Sequence, residues 1–196
     1  MTPTQNEQTK ISKIVREVLN ESYIPLRVKN FILEEDLGND KSSITCQLMV
    51  GGEEVQLKGQ GSGLVDALFC TIIEELSSEY PSLNNIQLID FILKAKPVKK
   101  GFGSGGFVKV DLAVSNRRGE KSHFLHEARS LNGAVILVVQ KTIEYFVNSE
   151  LAVIQLKKSL QNAVDRDRID LVTKYTGMMS ELVKNMPYNK IMTEEK

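Results

Sequence analysis

Tryptophan is absent from this 196-residue sequence, histidine and cysteine number two each, and the net charge is zero. Two cysteines, Cys46 and Cys70, are too few for a disulfide framework. Each sits in an apolar pattern and reads as a buried reduced thiol, which makes the cytoplasm the expected compartment. The two histidines, His123 and His126, stand three apart in a segment that reads as a strand. Residues so spaced on a strand face opposite sides, and no cysteine or carboxylate cluster completes a metal set. No metal and no cofactor is expected. Lys plus Arg equals Asp plus Glu at 25 each, so no long-range field recruits nucleic acid or an anionic membrane. The longest apolar runs, such as Ala134 to Val139, fall far short of the roughly 20 residues that span a bilayer. With no Ser-His-Asp order, no paired carboxylates and no P-loop lysine, enzyme mechanisms lack parts, and no catalytic residue is expected.

Glycine is unevenly spread. Gly101, Gly103 and Gly106 match G-x-G-x-x-G, but the dinucleotide fingerprint requires a strand before and a helix after. Here the motif joins two strand-like segments and reads as a hairpin loop. Gly59-Gln60-Gly61-Ser62-Gly63 does lie between a strand and a helix. Close backbone approach and helix N-terminal amides suit a carboxylate there, and Asp66 suits an ammonium group, so a zwitterion fits both; a purely structural tight turn is the competing reading. An aspartate introduced at Gly63 is expected to crowd this turn.

What is present is a repeat. A short amphipathic helix around Ile11 to Leu19 precedes strands at Leu26–Glu34, Ser43–Val50 and Glu54–Lys58, then a helix from Leu64 to Tyr80. The order recurs as strands at Ile86–Ala95, Phe107–Ser115 and Ser122–Ala128, then a helix from Ser130, a potential N-cap, to about Asn148. The fold class is therefore α+β: two βββα units in a two-layer sheet/helix domain, both helices covering one sheet face. Division is expected into an N-terminal tail and helix (1–24), the duplicated domain (25–148) and a C-terminal helical extension (149–196). The second helix is apolar on nearly all sides, which points to burial against a second subunit in a twofold homodimer. In the extension, stripes through Leu156, Leu160, Ala163 and Val164 and through Leu171, Val172, Tyr175 and Met178 predict one or two amphipathic helices, packed on the domain or free to dock a partner.

The run Gly59-Gln60-Gly61-Ser62-Gly63-Leu64-Val65-Asp66-Ala67, with the strand Leu88-Ile89-Asp90-Phe91-Ile92, resembles the C-terminal regulatory domain of the α-isopropylmalate and citramalate synthases. Leu64 stands where that family has proline, Phe91 where tyrosine is common, and Glu144 where asparagine is frequent. The resemblance covers about residues 25 to 148. It implies a dimer that binds leucine or isoleucine near the subunit interface and so inhibits a catalytic TIM barrel. Carried onto this sequence, it implies an effector pocket of Gly61, Gly63, Val65, Asp66, Leu88, Phe91, Ala95 and Leu131. The barrel's own motifs are absent from these 196 residues, so the expectation is either a separately encoded regulatory subunit, with a separate synthase catalytic subunit as its partner, or an excised fragment. The alternative is a structural dimerisation or interaction module without the amino-acid pocket.

Overall fold

The computed structural model describes residues 5–97, 106–117 and 119–184. Most of the 101–106 glycine motif lies outside them. Four helices and six strands follow in the order α1 (Gln5–Leu19), β1 (Leu26–Asp36), β2 (Lys41–Val50), β3 (Glu53–Gly61), α2 (Leu64–Leu76), β4 (Ile86–Pro97), β5 (Gly106–Asn116), β6 (Lys121–Ala128), α3 (Leu131–Asp165) and α4 (Ile169–Lys184). Short 3-10 turns sit at Asn20–Ser22 and Pro81–Asn85. The α+β class and the twofold βββα order agree with the sequence. The helix α1 begins at Gln5, earlier than the polar tail suggested.

The strands form two separate antiparallel sheets, β1-β2-β3 and β4-β5-β6. The duplication extends to an irregularity. Register slips between Val28 and Asn30 on β1, and between Leu88 and Asp90 on β4, 60 positions later in each case (88 − 28 = 60; 90 − 30 = 60). Each slip leads into the same apolar triplet, Phe31-Ile32-Leu33 and Phe91-Ile92-Leu93. A bulge of this kind bends its strand and sharpens the local twist, so both units curl alike over their helices.

Alternation decides which sheet face is covered. On β2, Ser42, Ile44, Cys46 and Leu48 are buried between half-exposed neighbours. On β5, Val110, Leu112 and Val114 play that part. Helix α2 lies against β2 and β3, and α3 against β5, β6 and β1. Its approach to β3 is close enough to dictate sequence. A Cβ at Gly59 would stand 1.7 Å from Thr71 Oγ1, and one at Gly61 would stand 2.5 Å from the Ala67 backbone nitrogen.

Helix α3 is the axis of the molecule. Ser130 caps it, its Oγ accepting from the Gly133 N–H at 3.2 Å. It then runs unbroken for 35 residues, through the position near Asn148 where the sequence suggested an end. The polar run at 165–168 becomes the turn into α4, with Asp167 at a φ of 51°. The apolar girdle of α3 is satisfied within one chain. Ala134, Val135, Val138, Val139 and Ile143 are each at most 2% exposed, enclosed by strands and by the other three helices. Burial of these side chains therefore does not by itself require a second subunit, while Leu137 beside them is half-buried.

Candidate functional site

The first glycine turn is closed upon itself. Gly63, the N-cap of α2, has an extended backbone and no side chain to cap with. Asp66, three residues on, reaches back across the turn: its Oδ2 accepts from the Ser62 N–H at 2.9 Å and the Ser62 hydroxyl at 3.2 Å. Its Oδ1 accepts weakly from the Cys70 thiol at 3.5 Å. That thiol is pushed up from its ordinary pKa by burial and by Asp66, and Cys46 by burial alone, so neither is an activated nucleophile. With Gly61 packed on Ala67, the open side of the turn is Gly63, where an added Cβ meets nothing within 4 Å. Crowding at Gly63 is therefore not the outcome expected of a substitution there.

The eight residues predicted for the effector site fall into separate groups. Gly61, Gly63, Val65 and Asp66 share the turn and the start of α2. Leu88, Phe91 and Ala95 share one face of β4, opposite Val114, Leu112 and Val108 of β5. Leu131 opens α3 and is 46% exposed. The principal packing of β4 is to β5, and that of α2 is to β2, β3 and α3. Among the described residues, the two larger groups thus have different principal packing partners.

A cleft of about 690 Å³ lies elsewhere, between α1, the turn after it, β6 and α3. Its apolar walls are Val15, Val138, Phe124, Leu125 and the ring of Tyr145. Phe124, Tyr145 and Phe146 meet edge-on or tilted with centroids 5.3–6.0 Å apart, which fixes those walls. Its polar side is organised around Glu144, which is 3% exposed. Glu144 Oε1 accepts from the Tyr23 hydroxyl at 2.7 Å and from Lys141 Nζ at 2.8 Å; Oε2 accepts from the Leu26 N–H at 3.0 Å. Arg16 sits 4.3 Å above the Tyr23 ring. Burial, then Glu144, raises the Tyr23 phenol pKa, so it stays a neutral donor.

No protein-family model and no curated protein matches this chain.

Two polar atoms on the cleft lining are buried without a hydrogen-bond partner: Ser149 Oγ, on a fully buried residue, and Gln8 Nε2. Such groups are uncommon, because leaving one unpaired costs about 1–3 kcal/mol. Arg16 and Lys141 bring positive charge to the same lining, beside an aromatic wall. A cleft of this size and mixture suits a small molecule with a charged end and an apolar body. His123 also lines it, bonded to Asp111 Oδ1 at 3.1 Å. His126, three residues on, stands opposite Val110 where His123 stands opposite Ala113, so the two face opposite sides. Among the described residues no group of three or more His, Cys, Asp or Glu could hold a metal, and no helix is long and apolar enough to cross a membrane.

None of the eight predicted residues lines this cleft. Of its polar framework the sequence drew attention only to Glu144. The available signal was the series Gln140, Glu144, Asn148 in an otherwise apolar helix, spaced to fall on one face.

Proposed function

We propose that this chain is a non-catalytic regulatory module that pairs with a second copy of itself and binds a branched-chain amino acid, leucine or isoleucine, giving feedback control of a synthase of the isopropylmalate or citramalate type. The observation that carries the reading is the fully buried, unpartnered Ser149 Oγ on a cleft that also holds Arg16 and an aromatic wall. In this reading the ligand carboxylate meets Arg16, its side chain lies on Phe124 and Tyr145, and the cleft adjusts to bring the buried Ser149 Oγ and Gln8 Nε2 to its polar end. The duplicated βββα layout and the turn at Gly59–Ala67 support the regulatory assignment. Because Asp66 is spent on its own turn, the effector is placed in the cleft and not at α2.

Calorimetric titration with leucine, isoleucine and valine tests this. The intact chain should bind at least one of them, and Ser149→Ala should weaken that binding at least tenfold while Gly63→Asp leaves it unchanged. Loss in Gly63→Asp with binding kept in Ser149→Ala would return the site to the glycine turn. The bond from Ser62 to Asp66 that closes the turn favours a second reading, a dimerisation module with no effector, which predicts no heat with any of the three.

A further inference from the structure

We infer that the second copy adds to the outer edge of β4, in antiparallel register about a twofold axis at Ile92, joining two three-stranded sheets into one of six. This rests on the self-association proposed above and names its surface.

The two units treat the start of their outer strands differently. On β1 the edge ahead of the bulge is sealed from within the chain: Asn148, Glu144 and Gln140 of α3 accept the N–H groups of Ile24, Leu26 and Val28 at 2.7, 3.0 and 3.0 Å, while past the bulge Ile32 is 65% exposed. Four residues along a helix roughly match two along a strand, so one helix face can serve alternate amides. Among the described residues no helix bonds to the edge of β4, whose main neighbour is β5; the Phe91 N–H is held by Asp90 Oδ1 at 2.8 Å. Ile89, Ile92 and Leu93 on β4 are each 40–41% exposed. An edge strand that is long, apolar and uncovered is a template for another strand.

The sequence of β4 is complementary to itself in one register. With Ile92 opposite its own copy, Asp90 falls opposite the partner's Lys94 twice over, and Phe91 falls opposite the partner's Leu93. The face assignments agree. Asp90, Ile92 and Lys94 stand opposite Ala113, Asp111 and Lys109 of β5, while Phe91 and Leu93 stand opposite Leu112 and Val110, on the face turned to α3. Within one chain Lys94 faces a like charge, Lys109, an arrangement that costs energy across a strand pair. The partner's Asp90 would relieve it. The corresponding stretch of β1 has Asn30 and Glu34 at those positions, which gives no opposite-charge pair.

Sedimentation equilibrium and cysteine cross-linking test the register. The intact chain should dimerise. Asp90→Lys should weaken the dimer about tenfold or more by placing lysines opposite each other twice, and Asp90→Lys with Lys94→Asp should restore it, since the exchanged charges again face each other. In mild oxidant Ile92→Cys should form a disulfide dimer, because paired Cα atoms about 4.5–5.5 Å apart lie within disulfide reach; Ile32→Cys, its counterpart on β1, should not. A dimer insensitive to Asp90→Lys and uncrosslinked at position 92 would put the interface elsewhere. A monomer at high concentration would mean that Asp90 and Lys94 guard the edge, which overturns the inference. Amino-acid binding that fails while the β4 dimer holds would count only against the effector.

Discussion

Leu26 and Glu144 lie 118 residues apart in sequence, and the backbone N–H of the first donates to Oε2 of the second at 3.0 Å, out of reach of water. The bond ties the first βββα unit to the helix of the second. Glu144 also holds Tyr23 and Lys141, so one carboxylate joins the N-terminal segment, β1 and α3. Glu144→Ala should orphan a buried N–H and a phenol together and cost about 2–4 kcal/mol in urea unfolding. Glu144→Gln keeps an acceptor and should cost clearly less. Equal losses would mean that the carboxylate acts only by filling space.

The glycines of the first turn should separate by neighbour. Gly61→Ala drives a Cβ to within 2.5 Å of backbone nitrogen, which cannot rotate away, and should destabilise by about 3 kcal/mol or more. Gly59→Ala meets the side chain of Thr71, so Thr71→Ala should recover part of its loss but not all, since the Thr71 Cβ itself is 2.8 Å away. Gly63→Asp finds open space at an N-cap and should match the parent or gain a few tenths of a kcal/mol. Chemical denaturation of the four variants checks the ranking.

Burial raises the pKa of the Glu150 carboxyl above the ordinary range, against the opposing pull of Ser82, whose N–H it accepts at 2.9 Å. The folded chain therefore holds this proton more tightly than the unfolded one. The resulting stability is fully present below the unfolded value, about 4.3, and is lost as pH rises through the folded value. Glu150→Gln keeps an acceptor for Ser82 and buries no charge. Its melting temperature relative to the parent should rise between pH 4 and pH 7; a constant difference across that span would contradict this.

Helix α3 carries the core past the expected domain boundary. Ala152, Val153 and Leu156 are at most 1% exposed, and Leu182 of α4 is fully buried. A chain ending at residue 149 should lose cooperative unfolding by circular dichroism. A sharp transition at the parent's temperature would show that residues 150–184 are an appendage.

Much of the fold was legible because period-2 and period-3.6 patterns in this chain are clean. Every strand of the duplicated region, helix α2 and the start of α3 fall within a few residues of their expected places, and Ser130 caps as expected. The length of α3 was not legible. Its apolar spacing continues through Ala152, Val153 and Leu156, but Asn148, Ser149 and Glu150 read as an exposed stop. They are in fact buried, two of them accepting backbone N–H groups from Ile24 and Ser82. The sequence leaves the glycine turn open between a ligand seat and a tight structural turn, because Gly59 and Gly61 answer to Thr71 and Ala67, contacts that exist only once α2 is docked. The cleft depends on tertiary contact throughout: Gln8, Arg16, His123 and Ser149 come from α1, β6 and α3, and no local spacing links them.

The central claim is a built amino-acid site beside Ser149, and thermal melting tests it most directly. Leucine or isoleucine at about a hundredfold its Kd should stabilise the parent by roughly 2.7 kcal/mol, and the same concentration should stabilise Ser149→Ala far less. Identical melting of the parent with and without leucine, isoleucine and valine would contradict the account.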